Sequence, residues 1–362
     1  MAQNLEALRQ AAILYPTIAI LFTLPYLAWS YRRYGSVLSL RILIVYSFVL
    51  YLLCVYCLVI LPLPRGEALE SLHGHLMQLM PLAFVRDMIR QADFSWRNPA
   101  SWAALFTRGA FLSALLNLLM TVPFGVYLRY YFRCDLKKTA ALAFALSLFF
   151  EVTQLSGLYF IYPGSYRLFD VDDLLLNTLG GLLGYALGGP ATRMLPSREE
   201  LDQISLARGR QVSLLRRMLA LFYDAAISLM IAAAATVFAG GRAFFWAIAA
   251  YFCLLPPLLG GRTPGMAWTR LRLCRKGGAV PYIYQYPVRF GLEFAALVGL
   301  PIALNLLAIR QYRGDNEAYL ALFLLVNGGY VLGLLFACVR ALMHRPLFYE
   351  RLSGTRLESI NE

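Results

Sequence analysis

The chain has 362 residues, 60% of them hydrophobic and only 15% charged, with a mean hydropathy of +0.60. A water-soluble domain of that length needs far more polar surface, so the composition argues against a soluble enzyme and for immersion in a membrane. The formal net charge is +13, yet the basic residues fall between apolar runs instead of clustering as a nucleic-acid face, so no nucleic-acid partner is expected.

Apolar runs of the ~20 residues that hydrocarbon requires are predicted at 11–30, 42–62, 106–128, 139–160, 173–190, 218–240, 243–260, 288–309 and 319–341. The first lacks a basic leader and a small-residue cleavage site, so it is expected to be retained. The predicted fold is an all-α, polytopic transmembrane helix bundle of about nine spans in two modules. A membrane domain over 1–190 is followed by a polar cytoplasmic linker at 191–216, a second membrane domain over 217–345 and a cytoplasmic tail at 346–362.

Alternate connections are rich in arginine. Arg32, Arg33 and Arg41 flank the first, and Arg129, Arg133, Lys137 and Lys138 fill the third. Later clusters lie at 193–217, 262–276 and 340–356. Basic loops stay on the cytoplasmic side, which predicts an inner or plasma membrane protein with its N-terminus outside and its C-terminus in the cytoplasm. The long connection 63–105 is then external. It carries Trp96, Trp102 and an apolar stretch from Met80 to Ile89 that is expected to lie on the outer surface as an amphipathic helix.

Six cysteines are scattered without zinc or disulfide spacing. Cys54 and Cys57 form a CxxC inside an apolar run, where packing against lipid is the expected role. His73 and His75 flank Gly74 in the external connection, but no third ligand accompanies them and no metal site is assigned. Phosphate-binding loops, dinucleotide fingerprints and nucleophile elbows are absent from the sequence. No cofactor is specified.

The densest polar cluster reads FFEVTQLSGLYFIYPGSYRLFDVDDLLLNTLGGLLGY, from Phe149 to Tyr185. Glu151 and Gln154 share one helix face, as do Asp170, Asp173 and Asn177. Arg167, in the turn between, is the expected counter-charge, and Asp172 is expected to cap or be solvated. Gly180, Gly184 and Gly188 allow a second helix to approach closely. Ionisable groups this close to hydrocarbon are costly unless they are paired or used, so Glu151, Gln154, Arg167, Asp170, Asp173 and Asn177 are the candidate binding residues. These positions, with Gly180 and Gly184 and with Asn117, Pro123 and Gly125 upstream, resemble the signature of VanZ-like membrane proteins over roughly residues 40–190. Met80-Pro81-Leu82 stands where that family has an Asn-x-x-Pro-Phe segment. The resemblance implies a membrane protein connected with low-level resistance to the glycopeptide teicoplanin, without fixing a reaction.

In the second module, Arg217 and Asp224 lie two turns apart on one helix face and form a candidate secondary site. Arg289 and Glu293 are an i,i+4 pair. The Arg217-x6-Asp224 spacing and Thr263-Pro264-Gly265 resemble the RDD family over roughly 210–345, although Met266 replaces its usual Lys. Three functions are compatible with these features. One is binding or remodelling of a lipid-linked envelope precursor or glycopeptide at the outer leaflet, with membrane lipids as partners. Another is a membrane-embedded enzyme on such a substrate, with Glu151 or Asp173 as acid or base, or with Asp170 and Asp173 on a divalent cation. The third is transport of an ion or small solute through Arg217 and Asp224.

Overall fold

The computed structural model of the protein describes residues 2–61, 63–64, 74, 76–275, 277–311 and 316–360. His73 and His75 lie outside the described residues. Among those residues, eight helices are long and apolar enough to cross a membrane: Leu8–Tyr34, Ser39–Ile60, Gly109–Tyr130, Leu136–Leu155, Leu214–Ala239, Gly241–Leu258, Gln285–Leu307 and Leu320–Leu342. Together with the absence of any closed sheet, they make this an all-α polytopic bundle. The ninth expected span, 173–190, is a helix (Val171–Ala191). Its glycines, Asn177 and two aspartates lower its hydropathy beneath that of the other eight.

The chain divides into two compact units, residues 1–21 with 39–201 and residues 22–38 with 202–362. The first long helix, α1 (Ala2–Tyr34), supplies part of each and ends at Gly35, whose positive φ of 70° accepts the left-handed turn that closes a helix. Residues expected to be linker form a helix at Arg198–Gly209.

In the first unit, α2 (Ser39–Ile60) is followed by a surface segment with a short strand β1 (Met77–Gln78), helix α3 (Ala83–Gln91) and helix α4 (Pro99–Thr107). Helices α5 (Gly109–Tyr130) and α6 (Leu136–Leu155), strand β2 (Phe169–Asp170) and helix α7 (Val171–Ala191) complete it. β1 pairs in parallel with β2, which ties the surface segment to the base of α7. Asp135 caps α6 by accepting the Lys138 N–H at 2.8 Å. At the other end of α6, Gly157, Leu158, Tyr159 and Phe160 all have positive φ. Such a run is unfavourable for L-residues, and it turns the chain sharply away from Gln154.

Helix α7 packs most closely against α5. A Cβ on Gly184 would collide with the Val122 carbonyl, and one on Gly125 with the Gly181 carbonyl. Phe124, Leu128 and Ala143 form a core on the other side, with Phe48 stacked on Phe124. The expectation that Cys57 packs against lipid is corrected: it is buried against Ala11.

In the second unit, Ala220, Met266, Leu271, Leu273, Tyr286 and Phe290 form the core. An antiparallel pair, Leu271–Arg275 with Thr355–Ser359, closes one end. Arg216 is fully buried and donates to the carbonyls of Gly209, Thr269 and Arg270 and to the Ser359 hydroxyl. One guanidinium thereby fastens three segments to its own helix.

Candidate functional site

A cleft of about 900 Å³ opens in the first unit between α2, α5, α6 and α7. Two kinds of wall enclose it. Cys54, Val55 and Leu58 of α2, Leu116, Leu119, Met120 and Pro123 of α5, and Phe150 of α6 form an apolar side. Asn117, Glu151, Gln154, Arg167, Asp170, Asp173 and Asn177 form a polar side. Along α5 the lining runs from Ser113 to Pro123, which at ~1.5 Å per residue is a depth of ~15 Å.

The polar side is assembled from four segments. Glu151, buried on the last turns of α6, accepts the Asp170 backbone N–H through one carboxylate oxygen at 2.9 Å. Gln154, one turn on, donates to the Val59 carbonyl at 2.9 Å. Asp170 caps α7 by accepting the Asp172 N–H at 2.8 Å, and Gln78 lies 3.5 Å from the same oxygen. Burial pushes the Asp170 carboxyl above its ordinary value against the downward pull of that N–H, and the charges of Asp172 and Asp87 push the same way. Asp173 accepts from the Asn117 amide, and the Ser147 hydroxyl donates to the Asp173 carbonyl at 3.2 Å. Asn177 donates to the Ser147 hydroxyl at 2.9 Å. Its own side-chain oxygen is buried and without a hydrogen-bond partner.

The structure therefore places Glu151, Gln154, Arg167, Asp170, Asp173 and Asn177 on one cleft, and it specifies the partners of Arg167 and Asp172. Arg167 stands within electrostatic range of Glu151 but makes no direct ion pair with Glu151 or Asp170 among the described residues. Its guanidinium donates to the Val59 and Leu61 carbonyls at 2.8 and 3.2 Å, where the last carbonyls of α2 have lost their helical partners. Asp172 turns away from the cleft and accepts the N–H groups of Leu82 and Phe84 at 2.6 and 2.8 Å, capping the start of α3.

Asn117 is a site residue that reasoning from the cluster missed, since it lies 56 positions from Asp173. Its only sequence signal is its place in the upstream Asn-x5-Pro-x-Gly pattern.

In the second unit, the expected secondary site does not form as a pair. Arg217 bonds to Glu350 at 2.6 Å. Asp224 accepts from the Tyr251 hydroxyl at 2.6 Å, the Thr263 hydroxyl at 2.5 Å and the Gly265 N–H at 2.8 Å. Arg289 forms its salt bridge with Glu350, at 3.8 Å, and Glu293 remains within electrostatic range of it.

The apolar helices define a multi-pass membrane protein, and its first unit holds a cleft with one polar and one apolar wall. Residues 48–189, which contain every residue of that polar wall, match the family model described as VanZ/LLP1, so the chain carries a VanZ-like domain there. No curated protein and no solved structure matches the chain.

Proposed function

We propose that the VanZ-like domain binds or remodels a lipid-linked component of the cell envelope and thereby lowers susceptibility to glycopeptides such as teicoplanin. The observation that carries this reading is the two-sided cleft, in which an apolar wall running ~10 Å along α5 is continuous with the polar cluster. An acyl or polyprenyl chain fits the former and its head group the latter.

The unused bonding capacity narrows the head group. The second oxygens of Glu151 and Asp173 have no partner among the described residues, and the Asn177 side-chain oxygen is buried and unpaired. A buried acceptor left open, as the Asn177 oxygen is, is costly and calls for a donor, so the head group should offer hydroxyls or amines, as a sugar or peptide does.

The cleft's polar side gathers the end of α6 and the start of α7. Arg41 at the start of α2, Arg129 at the end of α5, Lys137 and Lys138 at the start of α6 and Arg193 just past α7 lie toward the opposite ends of the helices that line the cleft. By the positive-inside rule this supports an external cleft, with the N-terminus outside and the C-terminus cytoplasmic. We further read residues 210–345 as RDD-like, because Asp224 bonds directly to Thr263 and Gly265, two parts of that resemblance.

The test uses the full chain purified in mild detergent. Native mass spectrometry should show a co-purified lipid-linked molecule on the wild type and its loss from Glu151→Gln/Asp173→Asn. Expression in a susceptible host should raise the teicoplanin concentration required for killing, and the double variant should not. Full retention of the molecule and the phenotype by the variant would refute the reading.

A further inference from the structure

The second unit holds two concavities of about 500 and 550 Å³ that share Arg217, His344, Arg356 and Leu357 in their linings. Arg210 completes the first and Arg351 the second. They form a trough beyond the first turn of the helix Leu214–Ala239 and the last turn of Leu320–Leu342, at the level of lipid head groups if both helices span.

Its lining is rich in arginine. Glu350, with a side chain 1% exposed, gives one oxygen to Arg217 at 2.6 Å with Arg289 3.8 Å away, and the other to the Leu347 N–H at 2.9 Å. Glu293, one turn from Arg289, is a second carboxylate within electrostatic range of both guanidiniums, yet Arg217 and Arg289 each retain a buried Nε–H without an acceptor. Glu358 is committed to Arg356, at 2.6 Å, and lies 3.6 Å from Arg272. Arg210 and Arg351 are exposed and have no acidic partner among the described residues. Cytoplasmic arginines that only set topology are solvated one by one. They do not converge on a concavity lined by an arginine with a buried N–H that lacks an acceptor.

We propose that this trough is an anion site for a phosphate group, held between Arg210, Arg217 and Arg351. Planar guanidinium forks suit phosphate oxygens, and the trough offers donors with no acceptor to spare. The phosphate belongs either to an anionic lipid head group or to a free phosphorylated molecule.

The experiment follows the thermal midpoint of the full chain in neutral detergent during titration with inorganic pyrophosphate, dioctanoyl phosphatidylglycerol or dioctanoyl phosphatidylcholine. We expect a saturable rise with one of the two anionic probes. Its half-saturating concentration should increase about tenfold or more in Arg210→Gln/Arg351→Gln, a change that corresponds to ~1.4 kcal/mol or more. Both arginines are exposed, so the unliganded midpoint should be unchanged, and Arg351→Gln alone serves as a milder check. A response to pyrophosphate identifies a free phosphate as sufficient, and a response to phosphatidylglycerol alone identifies the head group. The proposal fails if neither anionic probe shifts the wild type, if the double variant responds equally, or if phosphatidylcholine matches phosphatidylglycerol.

Discussion

Asp170 and Asp172 stand two residues apart and hold the starts of different helices. Asp170 caps its own helix, α7, whereas Asp172 reaches across to the amides of Leu82 and Phe84 at the head of α3. Asp172→Asn leaves one acceptor and sets an amide donor against an N–H, so the surface segment should loosen by ~1–3 kcal/mol. Trypsin should then cut faster after Arg86 and Arg90, and an unchanged digestion rate would sink this account.

Cys274 gives a second prediction at this scale. Burial, then the hydrogen bond and charge of Glu358, push its thiol up to about 11. The reactive form is the thiolate, and a raised pKa removes it at pH 8. Maleimide should therefore leave Cys274 unlabelled in the folded chain and modify it after denaturation. Labelling at equal rates in both states would contradict the buried strand.

Among elements, the pairing of α5 with α7 builds the polar wall, because it sets Asn117 beside Asp173 and the Thr121 hydroxyl on the Asn177 carbonyl at 2.7 Å. The glycine stripe that permits it is uneven. At Gly180 and Gly184 a Cβ would strike the carbonyls of Leu118 and Val122, which are backbone and cannot rotate away, whereas at Gly188 it would lie 3.3 Å from the Val126 Cα. Gly184→Leu should cost more than the ~1–3 kcal/mol of ordinary overpacking and empty the cleft of lipid, while Gly188→Ala should be tolerated. Thermal midpoints in detergent will rank the two, and equal effects would mean that the helices do not meet at this stripe.

At this scale the sequence was partly legible. The spacing of Glu151 with Gln154, and of Asp170, Asp173 and Asn177, assigned each set to one helix face, and those faces line the cleft. The same reasoning paired Arg217 with Asp224, and there it failed. A shared face two turns apart brings side chains near each other, but it does not make them partners when Glu350, Tyr251, Thr263 and Gly265 offer shorter bonds.

For the whole molecule, residues 22–38 belong with the second unit although they precede the first unit's main segment. The Tyr31 and Ser213 hydroxyls lie 3.2 Å apart, the Ser36 hydroxyl donates to the Ser205 carbonyl at 2.6 Å, and the Arg32 guanidinium sits 4.5 Å over the Trp268 ring. A fragment 202–362 lacks these contacts and exposes the groups they cover. It should aggregate on size-exclusion chromatography, and co-expression with residues 1–38 should recover a single peak. A monodisperse fragment on its own would show that the segment is dispensable.

The sequence by itself determined the helical, membrane-immersed class, because runs of ~20 apolar residues have no other stable home, and it determined which residues share a face, because helical period is local. Only the tertiary structure decided partners. Arg167 closes the end of α2, Arg217 meets a carboxylate 133 residues away, and Asn117 joins Asp173 across 56. Periodicity orients a side chain around its own axis, but the axial offset and choice of neighbouring helix come from packing between distant segments, and those set which polar groups meet.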